Sequence, residues 1–278
     1  MKTREMKLWL FLCLLTLAAP FAGAQEKQAG DAYGLLNNIA YAADSSDEYA
    51  RERCVLDLYY PKGVKDFSTV VWFHGGGLTE GEKYIPQELK DKGIAVVAVN
   101  YRLSPKATHP AYIEDAAAAV AWTFRHIAEY GGHTDKVYVS GHSAGGYLAL
   151  MLALDKEYLG KHEISPKQVA AWFPLSGQTM THYTIKRELG NQSPAPLVDR
   201  YAPCANLVAE TSPIVLVTGE RKLELSARYE ENVYLKALLE SVGNKRITLY
   251  ELPGFDHGNM FRPGCLLLAD YIKKHNDK

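Results

Sequence analysis

Gly141-His142-Ser143-Ala144-Gly145 has the pattern G-x-S-x-G, in which one residue separates a serine from a glycine on each side. The preceding run Val137-Tyr138-Val139-Ser140 is β-branched and aromatic, as in a buried strand. The following run from Gly146 to Leu154 is rich in helix-forming residues. A strand, a tight turn and a helix in this order form a nucleophile elbow, which exposes the serine hydroxyl and directs helix N–H groups at an oxyanion. The sequence therefore predicts Ser143 as a nucleophile, with an ordinary glycine-rich turn as the alternative.

Apolar runs alternate with helical patterns along the rest of the chain. Strands are predicted at residues 38–41, 54–60, 69–73, 94–99, 137–140, 169–175, 214–218 and 246–252. Helices are predicted at residues 86–92, 111–130, 143–154, 226–242 and 265–275. Near-continuous apolar strands suit a parallel sheet covered on both faces, and repeated strand–helix–strand units imply right-handed crossovers. We therefore expect an α/β fold, a doubly wound sheet with an antiparallel edge at its first strands.

The domain organisation predicted from the sequence is simple. Residues 25–278 show no linker or repeat and are expected to form a single domain. Residues 25–35 are small and polar and are predicted to be a mobile start. Residues 177–212 are irregular and contain several prolines, so we expect a small lid or cap insertion there.

The composition limits the classes of partner. The chain has 278 residues, of which 47% are hydrophobic and 23% charged, enough for one globular domain with a substantial core. The formal net charge is -1 and no basic stripe is present, so no nucleic-acid partner is expected. No His or Cys pair has metal-site spacing, and the predicted chemistry needs neither a metal nor a cofactor.

The first residues have the pattern of an export signal. A basic start precedes an apolar stretch from Leu8 to Phe21, and Ala22-Gly23-Ala24 has the small-x-small pattern of a cleavage site. We expect residues 1–24 to be a signal peptide, Gln25 to begin the mature chain, and the protein to be periplasmic or secreted. An uncleaved anchor is the alternative, but the apolar stretch is short for a membrane span, so no stable membrane insertion is expected.

Three cysteines follow the predicted leader, namely Cys54, Cys204 and Cys265. An odd number allows at most one disulfide within the chain. We expect them to be buried small apolar residues or to include one optional bridge.

A base for Ser143 is expected after the last predicted strand. His257 lies in the loop that directly follows that strand. There a neutral imidazole can accept the serine proton and later return it to the leaving group. The alternative is that His257 is an ordinary surface-loop histidine, one of the 9 histidines of the chain.

Oxyanion donors are predicted from the loop after the first apolar parallel strand. His74-Gly75-Gly76-Gly77 matches the HGGG type of motif, in which glycines let backbone N–H groups approach the reacting carbonyl. We expect the N–H groups of Gly76, Gly77 and Ala144 to form the oxyanion hole. His74 is expected to brace the loop.

The acid that orients His257 is less well determined by the sequence. The loop after the next-to-last strand carries Glu220 and Glu224, with Lys222 at the position where many hydrolases have an aspartate. Glu224 is the preferred candidate because its longer side chain can reach the base. Glu220 is the rival, and Asp256, adjacent to the histidine in sequence, is a further alternative.

Substrate contacts are predicted around the elbow. Leu78, which follows the glycines, and Tyr183 and Tyr201 of the predicted lid are expected to line an acyl or aromatic subsite. The alternative for the two tyrosines is that they only pack the lid.

Four motifs together carry a family resemblance. They are His74–Gly77, Asn100-Tyr101-Arg102-Leu103, Gly141–Gly146 and Gly254-Phe255-Asp256-His257. They resemble those of the hormone-sensitive-lipase-like and α/β-hydrolase fold 3 esterases, and most of all the feruloyl-esterase and kynurenine-formamidase-like branch of exported bacterial enzymes. The resemblance extends from about Tyr41 to the last helix.

The resemblance implies an α/β-hydrolase fold, with a mostly parallel eight-stranded sheet, helices on both faces and a small lid. It implies a serine nucleophile, a histidine base and the glycine loop at the positions given above, and ester hydrolysis without a cofactor. Lys222 departs from the family pattern at the position of the acid.

These observations predict an exported serine carboxylesterase. We expect it to act on short-chain acyl or aromatic esters, with acetyl and feruloyl esters of plant polysaccharide as candidates, and to be a monomer or homodimer. The partner is then a small-molecule or polysaccharide ester. The alternatives are a formamidase, amidase or peptidase of the same fold, and an inactive hydrolase fold that acts as a binding protein.

Overall fold

The computed structural model describes residues 32–276, so the predicted signal peptide and the predicted mature start at Gln25 lie outside the described residues. Eight strands form one sheet. They are β1 Tyr33–Ala40, β2 Val55–Pro61, β3 Phe67–Phe73, β4 Ala95–Val99, β5 Gly132–His142, β6 Ala171–Leu175, β7 Ile214–Gly219 and β8 Ile247–Leu252.

The sheet is mostly parallel, in the order β1-β2-β4-β3-β5-β6-β7-β8. β2 pairs antiparallel with both β1 and β4, and the remaining pairs are parallel. The predicted α/β-hydrolase architecture with its antiparallel edge is therefore confirmed.

The chain start differs from the prediction. Residues 33–35 belong to β1 and are not a mobile start, because Tyr33 pairs with Pro61 and its ring stacks on Tyr59 with 4.7 Å between centroids. Cross-strand pairing can hold a polar segment that has no apolar periodicity of its own.

Seven α-helices lie within the described residues. They are α1 Glu48–Arg53, α2 Ala111–His126, α3 Ala144–Leu154, α4 Lys156–Gly160, α5 Tyr183–Glu188, α6 Arg228–Ser241 and α7 Phe261–Asn276. The helix predicted at 86–92 is wrong, since only the 3-10 turn Gln87–Leu89 forms there. The helix predicted at 111–130 ends at His126 and continues as a 3-10 turn to Tyr130, where Gly131 takes a left-handed conformation.

The core lies on both faces of the sheet, as β3 illustrates. Val71 and Phe73 point into the larger core, which is covered by α2, α3 and α6, whereas Val70 and Trp72 point into the core beneath α7. All of these side chains are fully buried. Every residue of α3 is buried, which explains why its sequence is apolar all round and lacks a polar face.

Residues 177–212 pack against the carboxyl end of the sheet and contain α5 and the 3-10 turn Pro203–Ala205. The buried Thr184 hydroxyl donates to the carbonyl of Gly77 at 2.6 Å, and the Tyr147 hydroxyl donates to the carbonyl of Tyr201 at 2.8 Å. These contacts seat the segment beside the glycine loop. Its action as a lid stays a prediction.

Two further observations concern residues 32–276. No helix there is both long enough and apolar enough to cross a bilayer. No group of three or more His, Cys, Asp or Glu side chains in the same range could hold a metal ion. Cys54, Cys204 and Cys265 are buried and free, the first of the two predicted states.

Candidate active site

Ser143 occupies the turn between β5 and α3, at the carboxyl edge of the sheet. Its backbone has φ 55° and ψ -113°, a strained conformation for a residue with a side chain, as an elbow requires. Its N–H donates to the carbonyl of Leu175 at 2.8 Å, which ties the turn to the neighbouring strand. The turn leaves the serine partly exposed while α3 behind it is buried.

The two glycines of the elbow allow strand and helix to pack closely. A Cβ placed on Gly145 would lie 2.6 Å from the carbonyl carbon of Phe73, and one on Gly141 would lie 2.6 Å from the carbonyl carbon of Gly145. Both obstacles are backbone atoms, which cannot rotate away as a side chain can.

Substituting alanine at Gly145 is therefore expected to lower the free energy of unfolding by at least about 3 kcal/mol, since overpacking against backbone forces the turn to move. Urea denaturation measures the loss. Gly160 provides a matched control at the end of α4, where an added Cβ meets nothing within 4 Å, and Gly160→Ala should not destabilise the protein. Equal stabilities for the two variants would contradict the close packing of the elbow.

A hydrogen-bonded chain links three predicted residues. Nε2 of His257 lies 2.9 Å from Oγ of Ser143, and Nδ1 of the same ring lies 2.9 Å from Oε2 of Glu224. The Glu224 side chain is fully buried, and His257 is 19% exposed, so the base faces both the acid and the solvent side of the site. The structure thus brings the predicted nucleophile, base and orienting acid together in the geometry of a catalytic triad.

The geometry also distinguishes Glu224 from its two rivals. Oε2 of Glu220 accepts the N–H of Gly254 at 2.7 Å, so that carboxylate holds the turn before the base. Oδ1 of Asp256 accepts the N–H of Asn259 at 2.8 Å and braces its own loop. Only Glu224 of the three is hydrogen-bonded to the His257 ring among the described contacts.

Opposing effects act on the pKa of Glu224. Burial raises it, but the hydrogen bonds from His257 and from the N–H of Gly219, at 2.9 Å each, stabilise the carboxylate more strongly. The net result lowers the pKa from 4.5 to about 2. Glu224 is therefore ionised at neutral pH, as an acid that stabilises an imidazolium must be.

This shift predicts a pH-dependent contribution to stability. A carboxyl whose pKa is lower in the folded state stabilises the protein above its unfolded pKa, here 4.5, and loses that contribution as the pH falls toward 2. The wild type should lose about 3 kcal/mol of stability relative to Glu224→Gln between pH 5 and pH 2. Urea denaturation of both proteins across this range measures the difference. A constant difference would show that the fold does not hold this carboxylate ionised.

The glycine loop lies beside the elbow. Gly76 and Gly77 have φ of 108° and 62°, which a residue with a side chain rarely adopts. The carbonyl of Gly76 accepts hydrogen bonds from the N–H groups of Thr79 and Glu80 at 3.0 Å. In a trans peptide the C=O and N–H point in opposite directions, so the N–H of Gly77 points away from these two residues. Among the described contacts neither glycine N–H has a protein acceptor. Ala144 begins α3, where an N–H has no partner within the helix.

Buried aromatic and polar groups brace this loop. His74 stacks on Tyr101 with 4.4 Å between ring centroids, and the Tyr101 hydroxyl donates to the carbonyl of His74 at 2.8 Å. Burial lowers the pKa of His74 to about 4, so this imidazole is neutral. Next to Tyr101, Arg102 forms an ion pair with the buried Asp115 at 2.7 Å. The loop and the Asn100–Leu103 motif therefore support one another.

The predicted substrate residues lie in three different surroundings. Leu78 departs from the prediction, since its side chain is fully buried in the larger core and does not reach the site surface. Tyr201 packs against the same core, with its ring 4.8 Å from that of His109. Tyr183 is 45% exposed, and its hydroxyl lies where a Cβ of Gly77 would be.

An open groove begins at Tyr183. It has a volume of about 290 Å³ and lies between the segment 178–197 and the start of α6. Leu225, the neighbour of the acid Glu224, lines its other side. The groove therefore adjoins both the glycine loop and the loop of the acid.

Sequence reasoning missed two residues that contact the base. Nε2 of His142, inside the G-x-S-x-G motif, lies 2.8 Å from the carbonyl of His257, and burial lowers the pKa of His142 to about 4. Oγ of Ser176 lies 2.9 Å from Nδ1 of His257. The motif position was a signal for His142, but Ser176 follows β6 in a stretch with no motif at all.

The sequence of this chain matches the profile of a known protein family. The profile named BD-FAE matches residues 56–222, which is more than half of the chain. The chain belongs to the BD-FAE family. The predicted resemblance to α/β-hydrolase esterases is thus confirmed, and this BD-FAE protein has curated relatives that are carboxylic ester hydrolases.

Two of those relatives show the extent of the likeness. The probable isoprenylcysteine alpha-carbonyl methylesterase ICMEL1 of Oryza sativa subsp. japonica is 33% identical over 251 residues, which cover 80% of this chain and 57% of that protein. Carboxylesterase NlhH of Mycobacterium tuberculosis is 32% identical over 151 residues, which cover 51% of this chain and 45% of that protein. The BD-FAE chain thus aligns with about half the length of these relatives.

Solved structures share the fold. A truncated carbohydrate esterase from gut microbiota superimposes with a TM-score of 0.72 at 21% identity, covering 89% of this chain and 98% of that one. A bifunctional GH43-CE protein of Bacteroides eggerthii gives a TM-score of 0.69 at 21% identity, covering 86% of this chain and 35% of that one. At such identities the BD-FAE protein shares their architecture.

Proposed function

We propose that this protein is a serine carboxylesterase. The observation that carries the proposal is the chain of two 2.9 Å hydrogen bonds from Ser143 through His257 to Glu224. It lies beside a glycine loop with unused N–H donors, and the relatives of the chain include proteins named as carboxylesterases.

The proposed mechanism begins with proton transfer from Ser143 to His257. Nε2 of His257 takes the hydroxyl proton of Ser143 as Oγ attacks the ester carbonyl. The N–H groups of Gly76, Gly77 and Ala144 stabilise the oxyanion of the tetrahedral intermediate. His257 then protonates the leaving alkoxide, and an acyl-serine remains.

Deacylation repeats these steps with water. Nε2 of His257 removes a proton from the water that attacks the acyl carbonyl. It returns this proton to Oγ of Ser143 as the carboxylic acid product leaves. Glu224 stays ionised throughout and stabilises the imidazolium that forms in each half-reaction. Its pKa of about 2 keeps it unprotonated over the neutral range.

The proposed substrates are short-chain acyl or aromatic esters, with acetyl and feruloyl esters of plant polysaccharide as the main candidates. The open groove that begins at Tyr183 supports a bulky alcohol part, because it offers space between the segment 178–197 and Leu225, the neighbour of Glu224. The structural similarity to a carbohydrate esterase from gut microbiota adds support for a sugar-bearing substrate.

A substrate panel tests the proposal. Initial rates are compared for p-nitrophenyl acetate and butyrate, methyl ferulate and acetylated xylan, together with N-formylkynurenine and aminoacyl amides. We expect kcat/KM for activated acetyl esters to exceed that for the amides by at least about 100-fold, since an amine leaves less readily than an alkoxide. A preference for the amides would overturn the carboxylesterase assignment.

We also propose that the protein is exported, on the basis of the leader pattern at residues 1–24. Expression of the full chain in a bacterial host, followed by N-terminal sequencing of the periplasmic and medium fractions, tests this. Protein that begins at Gln25 is the expected result, and full-length protein retained in the cytoplasm would contradict it.

A further inference from the structure

Ser176 stands at the end of β6 and contacts the base from the side opposite the nucleophile. Its Oγ lies 2.9 Å from Nδ1 of His257, the same distance as Oε2 of Glu224 from that nitrogen. The residue is fully buried. Nδ1 therefore has two oxygen partners.

The turn that carries Ser176 is held from several directions. The N–H of Ser176 donates to the carbonyl of Val217 at 2.7 Å, and the buried guanidinium of Arg228 donates to the carbonyl of Ser176. Nδ2 of Asn232 donates to the carbonyl of Gly177 at 3.0 Å. Ser176 has φ 48°, a conformation that costs energy for a residue other than glycine. A buried serine in a strained and firmly held turn indicates a task for its hydroxyl.

We propose that Ser176 is a positioning residue that sets the tautomer and orientation of His257, an inference that rests on the proposed esterase function. Oε2 of the Glu224 carboxylate can only accept, so Nδ1 of His257 donates to it, and the Ser176 hydroxyl beside the same nitrogen accepts as well. Its lone pairs then face Nδ1, and two acceptors at Nδ1 require that this nitrogen carries the proton. Nε2 is left unprotonated, and only that tautomer can accept the proton of Ser143.

The geometry makes Ser176 and Glu224 partly redundant. With the carboxylate present, the ring keeps its orientation after loss of the serine hydroxyl. With the carboxylate absent, Ser176 is the remaining described acceptor at Nδ1. The two residues should therefore be coupled energetically, which a purely structural role of Ser176 does not predict.

A double-mutant cycle on kcat tests the coupling, using the full chain with p-nitrophenyl acetate as substrate. We expect Ser176→Ala to lower kcat about threefold in the wild type and about 30-fold in Glu224→Ala, a difference typical of residues in one hydrogen-bond network. KM should stay within about twofold, since Ser176 acts on the base and does not touch substrate. Equal factors in the two backgrounds would overturn the inference.

Three controls separate the outcomes. Ser140 is also a fully buried serine, but its hydroxyl donates to the carbonyl of Phe173 at 2.6 Å and does not contact the base. Ser140→Ala should therefore show no coupling to Glu224. Ser176→Gly relieves the left-handed backbone, so it should lose the same activity as Ser176→Ala without loss of stability. Should Glu224→Ala not fold, Glu224→Gln serves as the second background.

The failure of this inference is distinguishable from the failure of the esterase proposal. If Ser143→Ala is inactive but the effects of Ser176→Ala and Glu224→Ala on kcat are additive, the esterase proposal stands and the proposed role of Ser176 is wrong. A fully active Ser143→Ala would remove both.

Discussion

We expect Ser143→Ala to lose about 10⁴- to 10⁶-fold in kcat on p-nitrophenyl acetate, with little change in KM. The reason is that the serine oxygen forms the covalent bond in both half-reactions, and no other described residue is placed to replace it. His257 keeps its hydrogen bond to Glu224 in this variant, so the site should remain folded.

A fluorophosphonate probe gives an independent readout of the same residue. Only an activated serine reacts with such a probe, so the wild type should be labelled at Ser143 and the alanine variant should not. The thermal unfolding midpoint of the variant serves as the control for folding. Unchanged turnover, or labelling of another serine, would show that the elbow is not the reacting centre.

Glu224→Gln is expected to lower kcat by about 10³- to 10⁴-fold, because an amide can stabilise the wrong imidazole tautomer and does not carry the charge that stabilises an imidazolium. The effect is expected on kcat and not on KM, since the acid does not contact substrate. Steady-state kinetics with p-nitrophenyl butyrate measure both constants.

Glu220 provides the matched control, because it lies in the same loop and has the same side chain. Its carboxylate bonds the N–H of Gly254 and not the His257 ring, so Glu220→Gln should keep kcat within about threefold. Similar losses in the two variants would mean that the loop as a whole, and not one carboxylate, supports the base. A larger loss in Glu220→Gln would reverse the assignment.

The elbow shows what a local pattern is able to predict. Strand, glycine-flanked serine and helix are contiguous in the chain, and a Cβ at Gly141 or Gly145 would overlap backbone. The glycines that this packing requires are recognisable in the sequence because they flank the serine at a fixed spacing, although the obstacle at Gly145 is the distant backbone of Phe73. The same holds for the paired positive φ angles of Gly76 and Gly77.

The first strand and the first predicted helix, at residues 86–92, show where local patterns fail. β1 has no apolar periodicity, yet its backbone pairs with β2 along most of its length. Residues 86–92 have a helical pattern, yet only Gln87–Leu89 forms a 3-10 turn, where Leu89 packs into the core beneath α7. In both cases tertiary contacts outweigh a weak local preference.

For the candidate site, the sequence alone predicted Ser143, His257 and the glycine loop, which the structure brings together, because each lies at a set place relative to a strand that its own residues predict. The choice between Glu220 and Glu224 was left to the tertiary structure, since both carboxylates lie in one loop and only their distances from the His257 ring separate them. The contact of Ser176 with His257 and the burial of Leu78 also became known only from the tertiary structure. Contacts between segments far apart in the chain leave no spacing in the sequence, and they become visible only when the strands are placed side by side.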